Sequence, residues 1–249
     1  MSSSLSIKLG NFLYRNAFAL YKPMYNAFKR KQDAFEINLL KKYIHENYIV
    51  LDIGANIGFY ANILSQLVGE KGEVHCFEPD NTNFLHLKKN CSQLQNVKLN
   101  NKAVGPKTEK LKIYTSKELN VDHRTYKPEE YEEEIEIDAV SIDDYLGDNK
   151  KADFIKMDIQ GFEMQALKGM HKTLEQNKEI KIISEFWPYG LRTAGSSVIE
   201  YYNLLTEKGF SCYIFKKDKL EKLSLKTVTE LEPLGVEHYF NILVTRTDV

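Results

Sequence analysis

The chain has 249 residues and a formal net charge of −1, with 34 Lys and Arg against 35 Asp and Glu. That balance lacks the basic excess by which generic nucleic-acid binders hold phosphate, so no nucleic-acid partner is expected. At 43% hydrophobic residues the chain can build a sizeable core, which excludes global disorder, and no run of about 18 uncharged apolar residues offers a spanning helix.

Cys76, Cys91 and Cys212 form no CxxC pair. A zinc ribbon or disulfide framework is therefore not expected, and reduced thiols in a cytoplasmic protein are. The charge is uneven along the chain. Residues 1–32 hold no Asp or Glu but carry Lys8, Arg15, Lys22, Lys29, Arg30 and Lys31. Lys8, Arg15, Lys22 and Lys29 recur every seven residues, which stacks them on one helix face, and Pro23 is expected to interrupt that helix. Leu5, Leu9, Phe12, Leu13, Phe18, Leu20 and Tyr21 supply an apolar side. Three readings stay open: a helix packed on the domain, a peripheral contact with an anionic membrane, or a cover over an active site. The chain is thus read as a basic amphipathic segment at 1–34 and one domain at 35–249.

From about residue 48 onward, strand-like and helix-like runs alternate. Strands are predicted at Tyr48–Ile53, Glu73–Phe77, Val97–Val104, Leu111–Tyr114, Glu134–Val140, Phe154–Asp158 and Ile180–Phe186. Helices are predicted at Ile57–Val68, Asn81–Cys91, Glu163–Leu174 and Val198–Lys208. Ser211–Phe215 and Tyr239–Thr245 are read as a hairpin-like pair that closes the sheet. Alternation of this kind implies a doubly wound α/β fold, with a mostly parallel sheet covered by helices on both faces. The acidic run Glu129–Asp138 alternates with Tyr131, Ile135 and Ile137, which favours a solvated edge strand. The irregular stretch around 115–133 is long for a loop, and long loops in such folds carry substrate contacts.

The first strand runs into Asp52-Ile53-Gly54-Ala55-Asn56-Ile57-Gly58, and the second ends at Phe77-Glu78-Pro79. Gly54 and Gly58 permit a tight turn with close backbone approach, and the helix that follows aims free N–H groups at the crevice. Glu78 stands where an acid accepts hydrogen bonds from both hydroxyls of a ribose. Two ligand classes compete. A dinucleotide wants G-x-G-x-x-G, but Asn56 fills the position that must be bare for a pyrophosphate. Asp52 and Asn56 suit instead a ligand with an ammonium group and a ribose, such as S-adenosylmethionine.

Five segments together resemble the FkbM-type methyltransferases: VLDIGANIGFY (50–60), FEP (77–79), VSIDDYL (140–146), DFIKMDIQGFE (153–163) and EFWPYGLRTAG (185–195). The resemblance covers about residue 35 to the C-terminus. It implies a Rossmann-like fold with a seven-stranded sheet whose last strand is antiparallel. It also implies S-adenosylmethionine as cofactor, with O-methylation of varied acceptors that include sugars. Carried over by position, Asp52, Gly54, Asn56 and Gly58 would form the turn around the methionine end, Phe59 and Tyr60 would also contact the cofactor, and Glu78 would bind the ribose. Asn101, Lys102 and Ala103 would approach the adenine, and Asp158 would sit beside the methyl group.

Methyl transfer from a sulfonium needs no enzyme nucleophile, only alignment and a group to manage the hydroxyl proton. In a parallel sheet Asp158 and Glu185 point into one crevice and are the base candidates. Lys156 is placed to pair with one of them. Glu163 is either a substrate contact or a favourable acid at a helix start. His123, in Asp122-His123-Arg124, is a further base candidate, and Arg124 a substrate contact. Trp187 could stack on a sugar face and Arg192 could bind an anionic substrate group. No ligand pair has a diagnostic metal spacing, so no metal is expected.

The expected activity is methylation of a sugar hydroxyl in a glycan, glycolipid or glycosylated metabolite. Three alternatives stay open: another acceptor such as a protein or nucleotide-linked sugar, a non-catalytic cofactor-binding protein, and a nicotinamide-linked oxidoreductase. The expected location is cytoplasmic or peripheral at the membrane.

Overall fold

The computed structural model describes residues 10–14, 16–114, 134–247 and 249. The strands in chain order are β1 (Ile49–Ile53), β2 (Glu73–Phe77), β3 (Val97–Asn100), β4 (Ala103–Val104), β5 (Glu109–Tyr114), β6 (Glu134–Val140), β7 (Phe154–Met157), β8 (Lys181–Phe186), β9 (Ser211–Lys216), β10 (Lys219–Lys222) and β11 (Phe240–Thr245). The helices are α1 (Phe18–Gln32), α2 (Ala34–Tyr43), α3 (Phe59–Val68), α4 (Asn81–Asn90), α5 (Ile142–Leu146), α6 (Glu163–Lys168), α7 (His171–Gln176), α8 (Pro188–Thr193), α9 (Val198–Glu207) and α10 (Leu225–Leu231).

The large sheet has the order β10-β9-β11-β8-β7-β1-β2-β3. Its centre, from β8 to β3, is parallel, and β11 runs antiparallel between β8 and β9. Val50, Leu51, Ile53, Phe154, Ile155 and Met157 are all buried, as parallel strands covered on both faces require. The pleat sorts them. Leu51, Ile53, Ile155 and Met157 belong to one core, packed with residues of α6 and α9, while Val50, Phe154 and Ile183 join α2 and α3 in the other. Asp52, Lys156 and Glu185 share the parity of that second set, so the sheet delivers three ionisable groups to the face under α2 and α3.

The doubly wound mostly parallel architecture expected from the sequence is present, with several local departures. The sheet has eight strands, because β9 turns through Lys217 (φ 54°) and pairs with β10. Neither Lys217 nor Asp218 is a glycine or asparagine turn signal, so the hairpin left no mark in the sequence. β9 and β11 are antiparallel neighbours, but β10 and α10 intervene between them. The expected strand at 97–104 is two strands in different sheets, for β4 joins β6 and β5 in a three-stranded sheet. There β6 is central, not an edge, although Glu136 and Asp138 face solvent as the alternation implies.

The expected helix at 163–174 breaks into α6 and α7. A Cβ on Gly169 would lie 2.0 Å from the Gly105 carbonyl oxygen, so the loop after β4 presses into the junction. Pro23 does not interrupt α1; the breaks fall at Ala17 (φ −146°) and Asp33. An interior proline loses one backbone hydrogen bond. Here a run of ring contacts among Tyr14, Phe18, Tyr21 and Tyr25 holds the helix on both sides of it. Among the described residues no helix is long and apolar enough to cross a membrane.

Candidate active site

A cavity of about 470 Å³ lies at the carboxyl ends of β1, β2, β7 and β8. This is where open α/β sheets bind ligands. Its first wall is backbone. Gly54 and Ala55 both donate to the Phe77 carbonyl at 3.0 Å, which pins the β1–α3 turn to the end of β2. Gly54 stands at φ 84°, and a Cβ there would lie 1.9 Å from the Asp158 carbonyl oxygen. Its bareness lets the turn lie against the end of β7. Gly58 (φ 88°) is bare for another reason: a Cβ would meet the Leu87 side chain at 2.8 Å, so it seats α3 on α4.

Asn56 adopts φ 49°, which aims its amide at Glu78 Oε2, 2.8 Å away. The Asp80 amide donates to Glu78 Oε1 at 3.0 Å, and Asp80 itself caps α4 by accepting from Asn83 N. Asn101 braces the same corner from behind, donating to the carbonyls of Glu78 and Pro79. Burial raises the Glu78 pKa to about 8, against the opposing pull of its two amide donors. Lys102, Ala103 and Val104 continue this wall.

The second wall carries charge. Lys156 Nζ lies 3.5 Å from Asp158 Oδ2 and 4.4 Å from the centre of the Tyr60 ring. The Lys156 side chain is 4% exposed and that of Asp158 is 40%, so the carboxylate opens into the cavity while its counter-ion is sealed beneath. Burial opposes the Asp158 charge, but Lys156 and Lys29 outweigh it and hold the pKa below the ordinary carboxylate value. Gln160 Nε2 donates to Asp158 Oδ1 at 3.1 Å from a turn with φ 56° at Gln160 and 98° at Gly161. A Cβ on Gly161 would strike Gly190, and one on Gly190 would strike the Trp187 ring at 2.1 Å. These bare positions stack the β7 turn, α8 and Trp187 into one block, and Trp187 Nε1 donates to Val236 O at 3.1 Å.

Beneath this wall, Asp52 is wholly buried, and neither carboxylate oxygen has a hydrogen-bond partner among the described residues. Burial raises its pKa to about 6, with Lys156, its partner across the strands, pulling the other way. Glu36, driven by burial to about 7, accepts from Asn241 Nδ2 at 2.7 Å. Tyr60 OH donates to Asp33 Oδ2 at 2.7 Å, and Lys29 pairs with the same oxygen at 2.6 Å.

Of the site residues expected from the sequence, Gly54, Asn56, Phe59, Tyr60, Glu78, Ala103, Lys156, Asp158, Glu185 and Trp187 line the cavity. Asp52, Gly58, Asn101, Glu163 and Arg192 do not. Glu163 is fully buried and accepts from Ile159 N at 3.0 Å, closing the β7 turn; burial drives its pKa to about 7. Arg192 donates to the carbonyls of Glu232 and Leu234, which fixes the loop bearing Val236. His123, Arg124 and the long stretch at 115–133 lie outside the described residues. The cavity also uses Lys29, named in the sequence only for its heptad spacing, and Tyr25, Gln32, Gln160, Val236 and Tyr239, which sequence reasoning did not single out. Only the acid-free N-terminal segment signalled any of them.

A doubly wound sheet with this strand order, a glycine turn lacking a pyrophosphate cradle and an acid ending β2 defines the class of Rossmann-like, nucleoside-cofactor methyltransferases. The chain belongs to the FkbM methyltransferase family: the profile of the methyltransferase FkbM domain matches residues 52–212. It is an S-adenosylmethionine-dependent methyltransferase. Solved structures share the fold at low identity. A putative rRNA methylase from Clostridium thermocellum aligns at TM-score 0.52 and 14% identity, over 86% of this chain and 94% of its own. An S-adenosylmethionine-dependent O-methyltransferase from Thermotoga maritima gives 0.51 and 12%, over 88% and 66%. A putative methyltransferase from Streptococcus mutans, solved with S-adenosylhomocysteine, gives 0.51 and 12%, over 85% and 95%. No curated protein matches the sequence.

The residues present fit the cofactor. Gly54 presents bare backbone to the cavity, Glu78 adds a carboxyl group at the end of β2, and the Asp52 carboxylate, with no hydrogen-bond partner among the described residues, lies buried behind the turn.

Proposed function

We propose that the chain methylates a sugar hydroxyl in a glycan, glycolipid or glycosylated metabolite. One observation carries this reading: an ionised carboxylate, Asp158, opens into the cavity with its counter-ion buried behind it. Bound S-adenosylmethionine supplies the electrophilic methyl group. Asp158 orients the acceptor hydroxyl through a hydrogen bond. A carboxylate held at low pKa is a weak base, but the attacking oxygen becomes strongly acidic as its bond to carbon forms, so a weak base suffices. Lys156 keeps Asp158 charged and fixed. Glu185, on the same wall, is the second acceptor of hydroxyl hydrogen bonds. Trp187 and Tyr239 offer flat faces to the C–H surface of a sugar.

The test is transfer of labelled methyl groups to glycan, glycolipid, protein and nucleotide-sugar acceptors by wild type, Asp158→Asn and Glu185→Gln. Turnover on a saccharide that falls on the order of 10²–10⁴-fold in Asp158→Asn, with S-adenosylhomocysteine affinity retained, is the expected result. Methylation confined to proteins, or full activity in Asp158→Asn, would overturn it.

A further inference from the structure

α1 is apolar on its outer side as well as on the aromatic side that holds it to the domain. Its inner face carries Tyr25 and Lys29, which line the cavity, and Tyr25 meets the Phe59 ring edge-on. Its outer face is apolar for more than two turns: Ala19, Leu20, Pro23, Met24, Ala27 and Phe28 are all exposed. Leu20, Met24 and Phe28 recur at i, i+4 and i+8 and are 63%, 58% and 64% exposed. Phe12 before the helix is exposed too, as is Leu85 of α4, next to the His86 that stacks on Phe18. Exposed apolar stripes of this length mark contact surfaces.

The charge around the stripe selects the partner. Arg30 and Lys31 are exposed at its C-terminal end, and residues 1–32 contain no acid. The six basic residues of that segment leave −7 for the remainder of a chain whose net charge is −1, so the segment is cationic on an otherwise acidic chain. A second copy of the chain would bring no acid from this segment to meet Arg30 and Lys31. Anionic lipid headgroups meet both, while the acyl boundary takes Leu20, Met24 and Phe28.

We propose that the outer face of α1 seats on an anionic lipid surface. Because the inner face of the same helix is a wall of the cavity, docking holds the active site at the bilayer. The acceptor is then a saccharide carried on a lipid; this second step rests on the methyl-transfer reading, and the docking itself does not.

The experiment is co-sedimentation of the full chain with phosphatidylcholine vesicles, with and without phosphatidylserine. The variants are Leu20→Ser/Met24→Ser/Phe28→Ser and Arg30→Glu/Lys31→Glu. S-adenosylhomocysteine titration verifies that each variant is folded, and light scattering reports its oligomeric state. Wild type is expected to bind the phosphatidylserine vesicles at least tenfold more tightly than the neutral ones. The double charge reversal is expected to lose at least roughly 30-fold, about fivefold for each basic residue removed with repulsion of the new acids added, and the triple apolar variant at least tenfold. Equal binding to both vesicle types, or folded variants that bind as wild type does, would overturn the proposal. A wild-type dimer that ignores vesicles and becomes monomeric in the triple variant would assign the face to self-association instead. Vesicle binding is read without methyl transfer, so its failure leaves the methyl-transfer reading standing, and a chain that docks without turnover refutes only that reading.

Discussion

The two walls of the cavity are built by different means. The first wall is local and made largely of backbone: Gly54, Asn56 and Glu78 lie within one β-α-β unit, and Glu78 is held by two amides. The second wall is assembled from α1, the β7 turn, the end of β8 and the loop at Val236, and its central charge is set by Lys156, two residues back on β7, and by Lys29 of α1. A wall made of backbone tolerates no bulk and binds one ligand shape. A wall made of side chains from four elements can be retuned residue by residue. The difference predicts that the two walls fail separately when mutated.

The largest expected effect is the loss of turnover in Asp158→Asn, measured as labelled methyl transfer, with S-adenosylhomocysteine affinity unchanged. Next comes the backbone wall. Gly54→Ala forces a Cβ onto the Asp158 carbonyl at a left-handed φ and is expected to cost about 3 kcal/mol or more of stability, read from thermal denaturation by circular dichroism.

A pH titration sharpens the contrast. The folded pKa of Glu78 is raised from 4.5 to about 8, so the stability linked to its proton is present at acid pH and is lost as pH rises through about 8. Glu36 and Glu163, both raised to about 7, act in the same direction. The melting temperature of the ligand-free protein is expected to fall from pH 6 to pH 9. With Glu78 as the proposed ribose acceptor in its carboxylate form, S-adenosylhomocysteine affinity is expected to rise about tenfold between pH 7 and pH 9. Glu78→Gln should flatten that profile.

Smaller effects separate the second wall from its supports. Lys29→Ala is expected to raise the acceptor KM several-fold without changing cofactor affinity. Arg192→Ala should cost about 1–2 kcal/mol, because it frees the carbonyls of Glu232 and Leu234. Its acceptor KM should change less than that of Lys29→Ala, and a larger change would make Arg192 a direct substrate contact.

The first wall was legible because its residues lie in one short turn and at the end of the next strand. β2 has the limits that its apolar run predicts, and the turn after β1 falls at Gly54-Ala55-Asn56. The second wall was legible only in part. Asp158, Glu185 and Trp187 end strands, so alternation and strand parity place them. Tyr25, Lys29 and Gln32 come from a helix whose proline argued against its continuity, and packing of the aromatic run overrode that local rule. Val236 and Tyr239 reach the cavity from the segment before β11 through tertiary structure alone. Arg192 shows the converse error: a cation near the crevice reads as an anion site, but its guanidinium is committed to backbone carbonyls.

The most direct test of separate walls is calorimetric titration of S-adenosylhomocysteine into wild type, Glu78→Ala and Lys29→Ala. The structure predicts at least a tenfold loss of affinity in Glu78→Ala and wild-type affinity in Lys29→Ala. Wild-type affinity in Glu78→Ala, or an equal loss in both variants, would contradict it.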